Sequence, residues 1–167
     1  MSGFESKIEI VVTKVANVLS ARNWRMATAE SCTGGWIAKC CTDVVGSSAW
    51  FDRAYVVYSY RAKEQELGVS HADLLKYGAV SEQIACRMAS GAKLRSKVAV
   101  TVSATGIAGP GGGMPGKPVG LVHFGWCVDN SPVSSDAVVF AGDRNSVRQQ
   151  TVLHALEGIV SRLGNLT

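Results

Sequence analysis

The stretch Thr28-Ala29-Glu30-Ser31-Cys32-Thr33-Gly34-Gly35 places a serine between a short apolar approach, Met26-Ala27, and an apolar run, Trp36-Ile37-Ala38. This pattern predicts a strand, a tight turn and a helix N-terminus. Ser31 would then sit at the turn, with free backbone N–H groups of the new helix just behind it. A hydroxyl held there can attack a carbonyl carbon, and such N–H groups can hold the oxyanion that forms. The same eight residues also suit a plain helix start, with Ser31 or Thr33 as N-cap and the glycines as turn.

A serine nucleophile needs a base. Tyr58 and Lys63 fall where a strand should end and a short helix begin, the usual place for sites in α/β proteins. A lysine is a base only if its pKa falls from about 10.4 toward neutrality. Burial against the aromatic strand end around Tyr58 would lower it, as would a nearby positive charge from Arg61 or Arg144. A Ser–Lys pair then needs no histidine. The alternative is a surface lysine on an exposed helix beside Glu64 and Glu66. A thiol nucleophile at Cys32 would want a histidine, and His71, His123 and His154 are scattered outside any motif.

Two further stretches could bind an anion. Thr105-Gly106-Ile107-Ala108-Gly109-Pro110 opens a glycine-rich loop after a strand, so its N–H groups can line a site. Within it, Gly111 to Lys117 has the spacing of a phosphate-binding P-loop. Pro118, however, stands where that motif needs a magnesium-ligating hydroxyl, and a strand follows instead of a helix. Arg144 and Arg148 are four apart at a helix start. Guanidinium groups there suit phosphate, because the helix dipole disfavours a cation unless an anion is near. Pairing with Asp143 or plain solvation is the competing account.

These groups must be positioned by a chain of 167 residues, 47% apolar and 18% charged, which suits one globular domain over 1–167. The net charge of +4 is mild and scattered, which argues against a nucleic-acid footprint and suits an anionic small substrate. Five cysteines, Cys32, Cys40, Cys41, Cys86 and Cys127, lack metal-ligand spacing and fit reduced thiols in the cytoplasm. No signal peptide or membrane-spanning run is visible, and no metal site. Periodicity predicts helices over about 4–22, 35–43, 61–67, 70–75, 82–94 and 143–163. Strands are expected near 26–27 and over 49–59, 97–103, 119–128 and 137–140. This alternation gives an α/β, three-layer α/β/α sandwich with a mostly parallel or mixed sheet.

Several of these motifs together resemble one family. They are Thr28–Gly35, Gly46-Ser47-Ser48-Ala49-Trp50-Phe51, Tyr58-Ser59 with Ala62-Lys63, and Leu67-Gly68-Val69. Gly78-Ala79-Val80-Ser81-Glu82, Thr105–Pro110, Lys117-Pro118-Val119-Gly120 and Gly142-Asp143-Arg144 with Val147-Arg148 complete the set. In that order, over nearly the whole chain, they resemble the CinA C-terminal domain family in its stand-alone form. The resemblance implies an amidohydrolase that converts nicotinamide mononucleotide and water to nicotinate mononucleotide and ammonia, without a metal or cofactor. It implies a cytoplasmic homo-oligomer and no membrane or nucleic-acid partner. A Ser/Lys dyad falls on Ser31 and Lys63, with Tyr58 as auxiliary hydroxyl. Thr33, Gly34, Thr105, Gly106, Arg144 and Arg148 fall on substrate-binding positions. Tyr60-Arg61 and Ser103-Ala104 depart from the family's commonest pattern. The family also includes silent paralogues, so a nucleotide-binding or regulatory module is the alternative function.

Overall fold

A computed structural model describes residues 3–164; the first two and last three residues of the expected domain lie outside it. Helix α1 (Gly3–Ala21) leads into strand β1 (Met26–Glu30), helix α2 (Trp36–Thr42) and strand β2 (Phe51–Val56). Helices α3 (Tyr60–Leu67), α4 (His71–Tyr77) and α5 (Glu82–Ser96) follow, then strands β3 (Val100–Gly106), β4 (Leu121–Val128) and β5 (Ser134–Val139), and helix α6 (Arg144–Gly164).

Local chemistry sets most of these boundaries. Ser59, Ser70 and Ser81 cap α3, α4 and α5, each hydroxyl accepting a hydrogen bond from the N–H three residues on. Gly68 closes α3 in the left-handed conformation. Lys97 takes the same conformation to close α5, which is why β3 begins at Val100 and not at Lys97 as expected. Ser47–Ala49 forms a 3-10 turn, so β2 is shorter than the aromatic run suggests. Strand β5 starts earlier than expected, at Ser134. It is an exposed edge strand whose pairing with β4 holds it without an apolar run.

The five strands lie in the order β2-β1-β3-β4-β5. β1 is parallel to both neighbours, whereas β4 runs antiparallel to β3 and β5, so the sheet is mixed. One layer buries Val12, Val15 and Leu19 of α1, Ile37 of α2 and Val152, Leu156 and Ile159 of α6 against Met26, Val100, Val102, Phe124 and Trp126. The other buries Leu67, Leu74, Ile84, Met88 and Ala92 against Ala29 and Val57. Together they form the three-layer α/β/α sandwich.

The α5 side is packed unusually close. Hydroxyls of Thr101 and Ser103 reach the α5 carbonyls of Ala89 and Ala85 at 2.8 and 2.6 Å. Gly91 in α5 lets that helix approach α3; a Cβ there would stand 2.1 Å from the Leu67 carbonyl oxygen. Gly91→Ala must therefore push α3 outward, and α3 carries Lys63. We expect a loss of about 2 kcal/mol, in the range of core overpacking. Thermal unfolding should read this as a Tm lower by roughly 4–8 °C for a chain of this size. Activity per folded molecule should fall with it.

Candidate active site

The carboxyl ends of the three parallel strands converge. Ser31 follows β1, Val57 and Tyr58 follow β2, and Thr105-Gly106 end β3. The side chains meet around a cavity of about 200 Å³ lined by Ser31, Cys32, Tyr58, Tyr60, Lys63, Thr105, Gly106 and Arg144, with Ala79, Val80 and Ala108.

Lys63 is buried, at 1% exposure, although it lies on a helix rich in charged residues. The Ser59 cap starts α3 so that its fourth residue faces the sheet. Lys63 Nζ donates to the Val57 carbonyl at 2.8 Å and stands 3.0 Å from Ser31 Oγ. Burial lowers its pKa to about 8. The expected help from Arg61 or Arg144 is not part of this: desolvation alone depresses the amine. Only a Cys32 thiolate would oppose it, and burial pushes that thiol up to about 12, so it stays uncharged near neutrality. The same shift speaks against Cys32 as nucleophile.

Behind Ser31 the structure corrects the sequence expectation. Gly35, with φ of 94°, precedes α2 and brings no capping side chain. Glu30, fully buried, reaches over instead and accepts from the Ile37 and Ala38 N–H groups at 3.0 and 2.9 Å. Those donors are therefore taken. The Gly34 and Trp36 N–H groups bond the Ser31 and Thr33 carbonyls. Among the described residues, the Cys32, Thr33 and Gly35 N–H groups donate to no backbone carbonyl; of these three residues only Cys32 lines the cavity, where its N–H can serve an oxyanion.

The other expected residues divide into two groups. Arg144 stands at the cavity rim, where it donates to Tyr58 Oη at 3.0 Å and to the Gly109 carbonyl at 2.8 Å. Thr105 lines the cavity, and its hydroxyl donates to Ala79 O at 2.8 Å. Thr33, Gly34 and Arg148 do not line it. Thr33 Oγ1 donates to Glu30 Oε2 at 2.7 Å, and Arg148 turns to the carbonyls of Cys32 and Thr33. Glu30 and Tyr60 had no role assigned from sequence. A carboxylate ending an otherwise uncharged strand, just ahead of a helix start, was the available signal for Glu30. Tyr60 Oη accepts from Ala79 N–H at 3.3 Å, tying α3 to the cavity wall. Among the described residues no helix is long and apolar enough to cross a membrane.

A serine at the end of a central parallel strand, beside a buried lysine amine and under a glycine-rich loop, matches a known class. Residues 8–163 match the CinA C-terminal domain, and the chain belongs to that family. It is 46% identical over 153 residues to "Nicotinamide-nucleotide amidohydrolase PncC" of Enterobacter agglomerans, covering 92% of this chain and 93% of that one. The protein of the same name from Escherichia coli K12 is 44% identical with the same coverage. The crystal structure of competence/damage inducible protein CihA from Agrobacterium tumefaciens superposes with a TM-score of 0.94, at 42% identity over 99% of this chain and 100% of that one.

Proposed function

We propose that this chain is an amidohydrolase that converts nicotinamide mononucleotide to nicotinate mononucleotide, with Ser31 as nucleophile and Lys63 as base. The observation that carries this reading is a neutralisable lysine amine, at a pKa of about 8, 3.0 Å from the serine hydroxyl. The names of the full-length relatives supply the substrate.

In this mechanism neutral Lys63 takes the Ser31 proton as Oγ bonds to the carboxamide carbon. The Cys32 N–H stabilises the tetrahedral oxyanion. Lys63, now an ammonium, returns the proton to the departing nitrogen, which leaves as ammonia. This return is needed because an amide anion is a very poor leaving group. Water then attacks the acyl-serine with Lys63 again as base, releasing the carboxylate and restoring Ser31. The positively charged pyridinium withdraws electrons from the carboxamide and favours attack. Val57 O holds the amine on the serine through each transfer.

The cavity, at about 200 Å³, is smaller than sites that enclose a whole drug-sized ligand. It suits the carboxamide-bearing ring, with the phosphate at the rim near Arg144. Arg144→Ala should therefore raise KM for the nucleotide by about tenfold or more, the scale of a lost charge-assisted hydrogen bond. Nicotinamide riboside, without the phosphate, should be a poor wild-type substrate that this substitution hardly affects. Equal kcat/KM for nucleotide and riboside would remove the phosphate role. Ammonia release from nicotinamide mononucleotide tests the whole reading, and its absence from folded enzyme would favour the silent binding module. A homo-oligomer in the cytoplasm belongs to the same reading; the five free cysteines fit the reducing compartment alone.

A further inference from the structure

The turn from Ser31 to Gly35 is held from two sides by residues that stay out of the cavity. On one side is Glu30. Its Oε1 accepts from Thr28 Oγ1 at 3.0 Å and from Ala38 N–H at 2.9 Å, and its Oε2 from Thr33 Oγ1 at 2.7 Å and Ile37 N–H at 3.0 Å. One buried side chain thus joins β1, the turn and the first turn of α2. On the other side is Arg148. Its Nε donates to Cys32 O at 3.1 Å and its Nη2 to Thr33 O at 2.9 Å, while the guanidinium lies 5.1 Å from the Trp36 ring centroid.

Both contacts act on groups the reaction would use. A trans peptide is planar, with C=O and N–H pointing opposite ways. Fixing Cys32 O therefore fixes the whole Cys32–Thr33 peptide plane, and with it the main chain of Cys32 at the cavity wall. Fixing Thr33 through its hydroxyl and its carbonyl limits how far Ser31, two residues earlier, can drift from Lys63 Nζ. Arg148 does not line the cavity, and its Nε and Nη2 are both given to those carbonyls.

We propose that Glu30 and Arg148 are positioning residues, which clamp the nucleophile turn so that Ser31 and the main chain of Cys32 keep a reactive geometry. The kinetic half of this proposal rests on the amidohydrolase reading; the structural half does not. The experiment compares wild type, Arg148→Gln, Arg148→Lys and Glu30→Gln. Its readouts are Tm, kcat and KM for nicotinamide mononucleotide, calorimetric Kd for nicotinate mononucleotide, and amide hydrogen exchange over residues 31–38. Misplacement of reacting groups by a fraction of an ångström to 1 Å supports a loss of about 10- to 100-fold in kcat for Arg148→Gln. Product Kd should stay within about twofold, since no phosphate contact is lost. Exchange over 31–38 should quicken by about tenfold or more as the turn opens locally.

Arg148→Lys should be intermediate, because an ammonium reaches the carbonyls without the planar fork. Glu30→Gln turns an amide NH₂ toward donors and should behave as Arg148→Gln does; if it does not fold, the two arginine variants decide. A product Kd weakened about tenfold or more with kcat retained would make Arg148 an anion contact and overturn the proposal. A lowered Tm with kcat and exchange over 31–38 unchanged would overturn it in favour of a merely structural role. If wild type releases no ammonia, the amidohydrolase reading fails, and exchange over 31–38 still decides the clamp.

Discussion

Ser31→Ala should lose at least about 10³ in kcat, the scale seen when a covalent nucleophile is deleted. Neither Cys32 nor Thr105, the neighbouring small side chains that line the cavity, can replace it. The neighbouring thiol of Cys32 is held near a pKa of about 12 by burial, so a negligible fraction is thiolate at neutral pH. Thr105 Oγ1 is committed to Ala79 O. Cys32→Ala should stay within about threefold of wild type, since it removes only a small buried side chain. Steady-state kinetics on purified, folded variants measures both. Loss of activity in Cys32→Ala with retention in Ser31→Ala would replace the serine by the thiol.

The second large effect belongs to Lys63. A base with a pKa of about 8 gives kcat/KM that rises tenfold per pH unit below that value and levels off above it. Lys63→Arg keeps the charge but cannot release a proton, and should fall by at least about 10³. Substantial turnover in Lys63→Arg would mean that position 63 supplies positive charge and that the base lies elsewhere, with Tyr58 the next candidate.

Stability should carry the same signature with a definite sign. The folded pKa lies below the unfolded value near 10.5, so the unfolded chain binds more protons between pH 8 and 10.5. Folding free energy should therefore improve as pH rises through that window, by about 3 kcal/mol at most. Lys63→Met removes the buried charge but leaves Val57 O unpaired, two effects of similar size. At pH 7 it should be inactive yet melt close to wild type. Its stability should lack the rise between pH 8 and 10.5, which chemical denaturation at several pH values would measure.

Much of the scaffold was legible because its causes are local. The helix start at Ser81, the closing Gly68 and the apolar face of α1 depend on residues within a turn or two, whereas the cap at Ser59 was hidden in what reads as the end of a strand. The turn around Ser31 was legible for the same reason, and Lys63 stood out on the short helix after the next strand, with a surface lysine as the alternative there. Boundaries set by pairing were not: β5 is a strand because β4 lies beside it, and Lys97 ends α5 in a conformation its residue type rarely adopts.

Local signals along the chain were enough for the α/β order of elements, the serine at a strand–helix turn, and a lysine on the short helix after the next strand. Only the tertiary structure decided that Lys63 is buried, that desolvation without a cationic neighbour lowers its pKa, and that its amine meets a hydroxyl 32 residues away. It also decided that Glu30 occupies the start of α2 and that Arg148 faces the turn and not the cavity. The physical reason is range. Capping and periodicity act between neighbours along the chain, whereas desolvation and hydrogen bonding to carbonyls sum over whatever the fold brings near.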